Sequence, residues 1–136
     1  MTRPVPAQLS TAELTAEAAD LVRAAGLAAQ PGGAPGLLHP TDAAAAVSAL
    51  AGLTARLPDL LDQVGTFLSS EQATGRIGAP AAEDFDDVRL ARDAREHLYE
   101  AGRTAALLAE SLAAAATALA PLGQTRTAGG PTTPHA

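Results

Sequence analysis

Two stretches of this chain repeat small or apolar residues in strict 3-4-3-4 spacing, and that repeat limits what the chain can fold into more than any other feature. The first stripe runs Ala43, Ala46, Leu50, Leu53, Leu57, Leu60, Val64, Phe67; the second runs Ala91, Ala94, Leu98, Ala101, Ala105, Leu108, Leu112, Ala115, Leu119, Leu122. Steps of three and four keep side chains on one face of a helix over many turns, where a second helix can cover them. The first stripe is rich in leucine and the second in alanine, so large side chains can fill the hollows beside small ones. The spacing therefore predicts an antiparallel pair of long helices.

The punctuation between the stripes divides the chain. Residues 1–9 form a proline-containing arm. At Ser10 a capping box opens, with Ser10 accepting from the Glu13 amide and the Glu13 carboxylate reaching back, and Leu9 and Leu14 stand where a hydrophobic staple would close it. The first helix is expected over about residues 11–29, turning Leu14, Ala18, Leu21, Val22 and Ala25 inward. PGGAPGLLHP, residues 31–40, reads as a linker. A second helix should start from a Thr41 or Asp42 cap and run over about 42–73, stopping at Gly75, with a kink or break at Pro58. The third should follow an Asp84 cap over about 84–120 and end before Pro121 and Gly123, with residues 124–136 as a disordered tail. The expected fold is all-α: the hairpin of the two long helices closed by the shorter first helix, one bundle over residues 10–123. A reversal centred near residue 78 would set Leu68 near Val88, Leu57 near Leu98 and Ala46 near Leu108, leaving the third helix to overshoot the start of the second.

Composition narrows function by exclusion. Nine basic against fifteen acidic residues give a net charge of −6, the reverse of a chain that neutralises phosphates, so direct nucleic-acid binding is not expected. Without cysteine there are no thiolate metal sites, disulfides or cysteine nucleophiles. All nine basic residues are arginine and alanine makes up about a quarter of the chain, as a GC-rich coding sequence would give. Alanine also has the lowest helical cost. The first ten residues hold two prolines and no apolar core of an export signal, and the most apolar stretch, residues 104–119, carries Glu110 at its middle. A soluble, cytoplasmic protein is the expectation, with no membrane partner.

No constellation for catalysis or metal binding emerges. Glu83, Asp84, Asp86 and Asp87 cluster at an expected helix N-terminus, where carboxylates complement the dipole. His97 lacks the Glu-x-x-His partner pattern of di-iron bundles, since Ala94 stands three residues before it. No serine lies in a Gly-x-Ser-x-Gly context and no glycine run leads to a phosphate-binding lysine. We therefore expect no enzyme and no cofactor, but a protein–protein interaction or assembly module, partnered by a second copy or by another helical protein. Large side chains are scarce, and the candidate anchors of an interface are Leu57, Leu61, Phe67, Leu68, Phe85 and Tyr99. Val47, Leu61, Leu68, Leu90 and Leu107 lie beyond the two stripes and add apolar surface for self-association.

The segment LPDLLDQVGTFLSSEQATGRI over residues 57–77, followed by Asp87 and an Ala/Leu helix ending LAPLG, resembles a group of small Ala/Leu-rich helical proteins of actinomycetes. The resemblance covers residues 57–123 and implies an accessory role, as some of those proteins are encoded near plasmid-like or integrating elements. The alternative is a secreted helical-hairpin effector similar to type VII secretion substrates. The chain departs from that family at its turn, Gly75-Arg76-Ile77-Gly78 in place of Trp-x-Gly, and at Arg103, where an acid would stand four residues after Tyr99.

Overall fold

The computed structural model describes residues 8–32, 36–77 and 85–128; the side chains of 85, 86 and 123–128 lie outside the description. It is all-α, with three helices in order: α1 (Thr11–Ala29), α2 (Pro40–Ala73) and α3 (Phe85–Ala128). The packing between elements is that of α2 against α3. Arg95 reaches Ser69 and Gln72, while Gly102 lies against Pro58, so numbering rises on one helix as it falls on the other and the pair is antiparallel.

Local chemistry sets the ends of the helices. The capping box of α1 is closed: Glu13 N donates to Ser10 Oγ at 3.1 Å and Ser10 N to Glu13 Oε1 at 3.2 Å. α2 starts earlier than the Thr41 or Asp42 cap would place it. His39 is the N-cap residue and Pro40 the first helical one, a position where a missing N–H costs nothing. Asp42 then acts from the third position, its Oδ2 accepting from Leu38 N and His39 N, both at 2.9 Å. Those two backbone donors hold the Asp42 carboxyl below its ordinary pKa.

At the other end of α2, Gly75 takes φ +79°. The Arg76 amide donates to Glu71 O at 2.9 Å and the Gly75 amide to Gln72 O at 3.2 Å, a Schellman termination that needs a left-handed glycine. Arg76 also clasps the Glu71 carboxylate through Nε and Nη2, which lowers the carboxyl pKa of Glu71 and raises that of the guanidinium.

Two prolines stay inside helices. α2 runs unbroken through Pro58, and α3 continues through Pro121 to Ala128, beyond the end expected near residue 120. Residues 124–128, expected as part of a disordered tail, are therefore helical, while 129–136 lie outside the description. A proline removes one amide donor and crowds the carbonyl four residues back, a local loss that the helix-favouring residues on either side outweigh. The expected Asp84 cap falls outside the described residues.

The first helix does not bury its apolar side. None of its residues is buried, and Leu14, Leu21, Val22 and Leu27 all remain exposed. The hairpin stands as expected, but the closure of its seam by α1 is not what the structure displays. Ten linker residues rich in glycine and proline separate α1 from α2, and that length leaves its docking unconstrained.

Candidate interaction surface

Burial places the α2/α3 seam one residue away from the stripe that the leucines mark. On α2 Thr54 is buried and Val47, Ala51, Pro58, Leu61, Gly65 and Leu68 are half-buried, each one residue after a member of the expected stripe, while Leu57, Leu60 and Val64 of the stripe itself are half-buried beside them. One residue is a rotation of about 100°. On α3 half of the expected stripe holds, at Ala91, Leu98, Ala105, Leu112 and Leu119, and the other half moves to Arg95, Gly102, Ala109 and Ala116. The fully buried residues among those described are small: Thr54 at 6% exposure, Ala91 and Ala105 at 7% each.

Small residues win the seam because they let the backbones approach. A Cβ added to Gly102 would lie 3.8 Å from the Pro58 Cα, so the proline faces a seam position on α3 that has no side chain. Carried along both helices, this register puts Leu61 beside Leu98, Thr54 beside Ala105 and Leu68 beside Ala91. Large meets small at most levels. It is also shifted by about four residues from a reversal at residue 78, and α3, continuing to Ala128, still overshoots the start of α2.

Thr54 and Arg95 are the polar members of this seam. Thr54 satisfies its hydroxyl within its own helix, donating to Leu50 O at 2.9 Å and Ala51 O at 3.1 Å. Arg95 crosses to α2, giving Nη1 to Ser69 Oγ at 2.9 Å and Nη2 to Gln72 Oε1 at 3.0 Å, while its Nε is buried without a hydrogen-bond partner. A partly buried cation held by neutral oxygens fixes register more than it adds stability.

The seam divides the hairpin into two unlike sides. On one lies an open groove of about 570 Å³ lined by Asp59, Asp62, Thr66, Arg95, Tyr99 and Arg103. All but Arg95, which belongs to the seam, follow the seam positions by one on each helix, and they form a polar rim over a floor that includes Pro58, Leu61 and Leu98. The opposite side is made of the residues that precede the seam positions. On α2 it carries Leu50, Leu53, Leu57, Leu60, Val64 and Phe67; on α3, Ala94, Ala101, Leu108, Ala115 and Leu122. No Asp, Glu, Lys or Arg stands among these residues, with His97 beside them; Glu71 continues the α2 row four residues after Phe67 and Asp87 the α3 row seven before Ala94. Leu53 is 38% exposed, Phe67 59% and Leu108 47%.

The six anchors named from the sequence therefore separate. Phe67 and the half-buried Leu57 belong to the uncharged side, whereas Leu61 and Leu68 are half-buried in the seam and belong to the hairpin itself. Tyr99 is exposed on the polar groove. Phe85 begins α3, its side chain outside the description. Of the apolar residues expected beyond the stripes, Val47 joins the seam, while Leu90 and Leu107 are exposed. Leu50 and Leu53, which the 3-4 repeat assigns to the seam, are exposed and become surface candidates.

Opposite charges three or four residues apart on α3 do not pair as a ladder. Among the described residues, Arg92 meets Asp93 at 3.7 Å, and Arg89/Asp93, Arg92/Glu96 and Glu100/Arg103 are not within ion-pair distance. No group of three or more His, Cys, Asp or Glu side chains among the described residues is placed to hold a metal ion.

These features define the class: an antiparallel α-helical hairpin with a small-residue seam and one uncharged side. No family model, no curated protein and no solved structure matches the chain.

Proposed function

We propose that this chain is a non-enzymatic protein–protein interaction or assembly module, and that its working surface is the uncharged side of the hairpin. One observation carries the reading: a regular row at helical spacing keeps Leu50, Leu53 and Phe67 exposed and Leu57, Leu60 and Val64 half-buried, beside a seam that smaller residues help to fill. A soluble chain seldom leaves so long a row of large apolar side chains facing water unless something covers it. The row is straight, lies on one rigid face and has an alanine row beside it, so an amphipathic helix or helix pair fits it better than a small molecule or an extended peptide.

Both long helices are also long and apolar enough, by length and composition, to cross a membrane. A helical protein partner remains the better reading. Much of that apolarity is alanine, and α2 carries Arg56, Asp59 and Asp62 near its middle. An acidic chain is also poorly suited to an anionic lipid surface.

Site-specific photo-cross-linking in the native host tests the module. A photoreactive phenylalanine analogue at Leu53 or Phe67 should give discrete protein adducts, and the same group at Glu100, on the outer charged face, should give none. Adducts from all three positions alike, or from none, would refute the assignment of the surface.

A further inference from the structure

We infer that the occupant of the uncharged side is a second copy of this chain, two hairpins joining about a two-fold axis into a four-helix bundle. The inference rests on the module reading above and names its partner. A two-fold interface must be complementary to itself, and this face is. Its α2 half presents a ridge of leucines ending in Phe67, and its α3 half presents a lower row in which Ala94, Ala101 and Ala115 leave hollows on either side of the exposed Leu108. Turning one copy over sets each ridge against the other copy's lower row, and both contacts form at once.

Charge allows the pairing. Two chains of net charge −6 repel, but between Leu50 and Phe67 the ionised groups of α2 lie beside the groove or on the outer face, and Glu71, at the end of the row, is paired with Arg76. Area argues for it as well. Leu50, Leu53, Phe67, Leu108 and Leu122 keep between 38% and 59% of their surface exposed, apolar area of the kind that a standard interface of about 800 Å² per partner would cover.

The first helix is a poorer occupant. Its inward stripe, from Leu14 to Ala25, is about 17 Å long, whereas the row from Leu50 to Phe67 runs about 26 Å. Docked there, α1 would meet the longer row with a stripe that is mostly alanine beyond Leu14, Leu21 and Val22.

Light scattering after gel filtration of the full chain over about 1–100 μM tests this, a range typical of specific assembly. The expected mass is twice the 13.5 kDa of one chain. Ala101→Glu changes an exposed helical residue in the lower row, and burying two such carboxylates should raise the dissociation constant about 100-fold or more. Tyr99→Glu, on the groove side, should leave the dimer unchanged, and far-ultraviolet circular dichroism should give unaltered helicity for both. Should Ala101→Glu lose helicity, Leu53→Lys poses the same question from the ridge. A single-chain mass at 100 μM, or a dimer indifferent to both Ala101→Glu and Leu53→Lys, overturns the inference. A single-chain mass combined with cross-links from Phe67 to a different protein overturns it while leaving the module reading intact. Co-flotation of a monomer with lipid vesicles overturns both.

Discussion

Gly102 offers a graded test of how the two long helices meet. Replacing a helical glycine with alanine removes backbone entropy from the unfolded chain and favours folding by about 1 kcal/mol where the new methyl has room. At Gly102 the added Cβ would stand 3.8 Å from the Pro58 Cα, an ordinary van der Waals contact. Gly102→Ala should therefore stabilise the hairpin by about 1 kcal/mol, slightly more than a purely local effect because the methyl is partly covered. Gly52→Ala is the local reference, with nothing within 4 Å of its added Cβ. A larger side chain at Gly102 has no such room. Gly102→Leu must push its branch into the Pro58 backbone or splay the helices, and overpacking of this kind costs about 1–3 kcal/mol. Urea unfolding followed by circular dichroism at one fixed protein concentration reads all three, since association makes stability depend on concentration. The expected order is Gly102→Ala at or above Gly52→Ala, both above the unaltered chain, and Gly102→Leu lowest. If Gly102→Leu proves as stable as Gly102→Ala, Pro58 does not face Gly102 and the register is wrong.

Other expectations follow from the caps and the seam. Ser10→Ala should cost about 1 kcal/mol of α1 helicity without moving the main unfolding transition, because α1 is not packed on the hairpin; hydrogen exchange resolved by segment would separate the two. Asp42 has a folded pKa below its unfolded value, so its contribution is fully present above the unfolded carboxylate range and is lost as pH falls through the lower folded value. An acid titration of stability should accordingly be flatter in Asp42→Ala than in the parent chain. Arg95→Met removes a buried unpaired Nε along with two bonds to neutral oxygens, so stability should change by less than about 1 kcal/mol. Looser register should instead broaden the amide spectrum near Ser69 and Gln72.

Much of the fold was legible because the signals were local. Ser10 and Glu13, three apart, specify a reciprocal cap that needs no tertiary partner, and Gly75 specifies a left-handed stop. The 3-4 repeat announces long paired helices for the same reason. What the repeat could not announce was phase. Ranking positions by hydrophobicity puts Leu50, Leu53, Leu57 and Leu60 in the seam, whereas close approach of two backbones selects Ala51, Thr54, Gly65 and Gly102. Both rows have the same period, and only the packed structure decides between them. Pro58 had the opposite ambiguity: as a helix breaker it signals an end, yet opposite a glycine it is accommodated in the middle of one.

The candidate surface was half legible. Phe67 and Leu57 were recognisable as anchors by size, but Leu61 and Leu68 are spent inside the hairpin and Tyr99 faces the other way. An uncharged side becomes visible only once the seam is located, because it is defined by what the seam leaves over. The closing role expected of α1 came from counting apolar area, which says that a cover is needed and not which helix supplies it.

The central claim is that adjacent residues on α2 face different partners, Thr54 the companion helix and Leu53 a second copy. Since the chain has no cysteine, single-cysteine labelling tests it directly. The rate of thiol modification should be slow for Thr54→Cys at every protein concentration. For Leu53→Cys it should be fast in dilute solution and slow as the concentration rises through the dimer range. A fast Thr54→Cys beside a slow Leu53→Cys would put the leucine row in the seam, and a Leu53→Cys rate independent of concentration would leave the uncharged side without its partner.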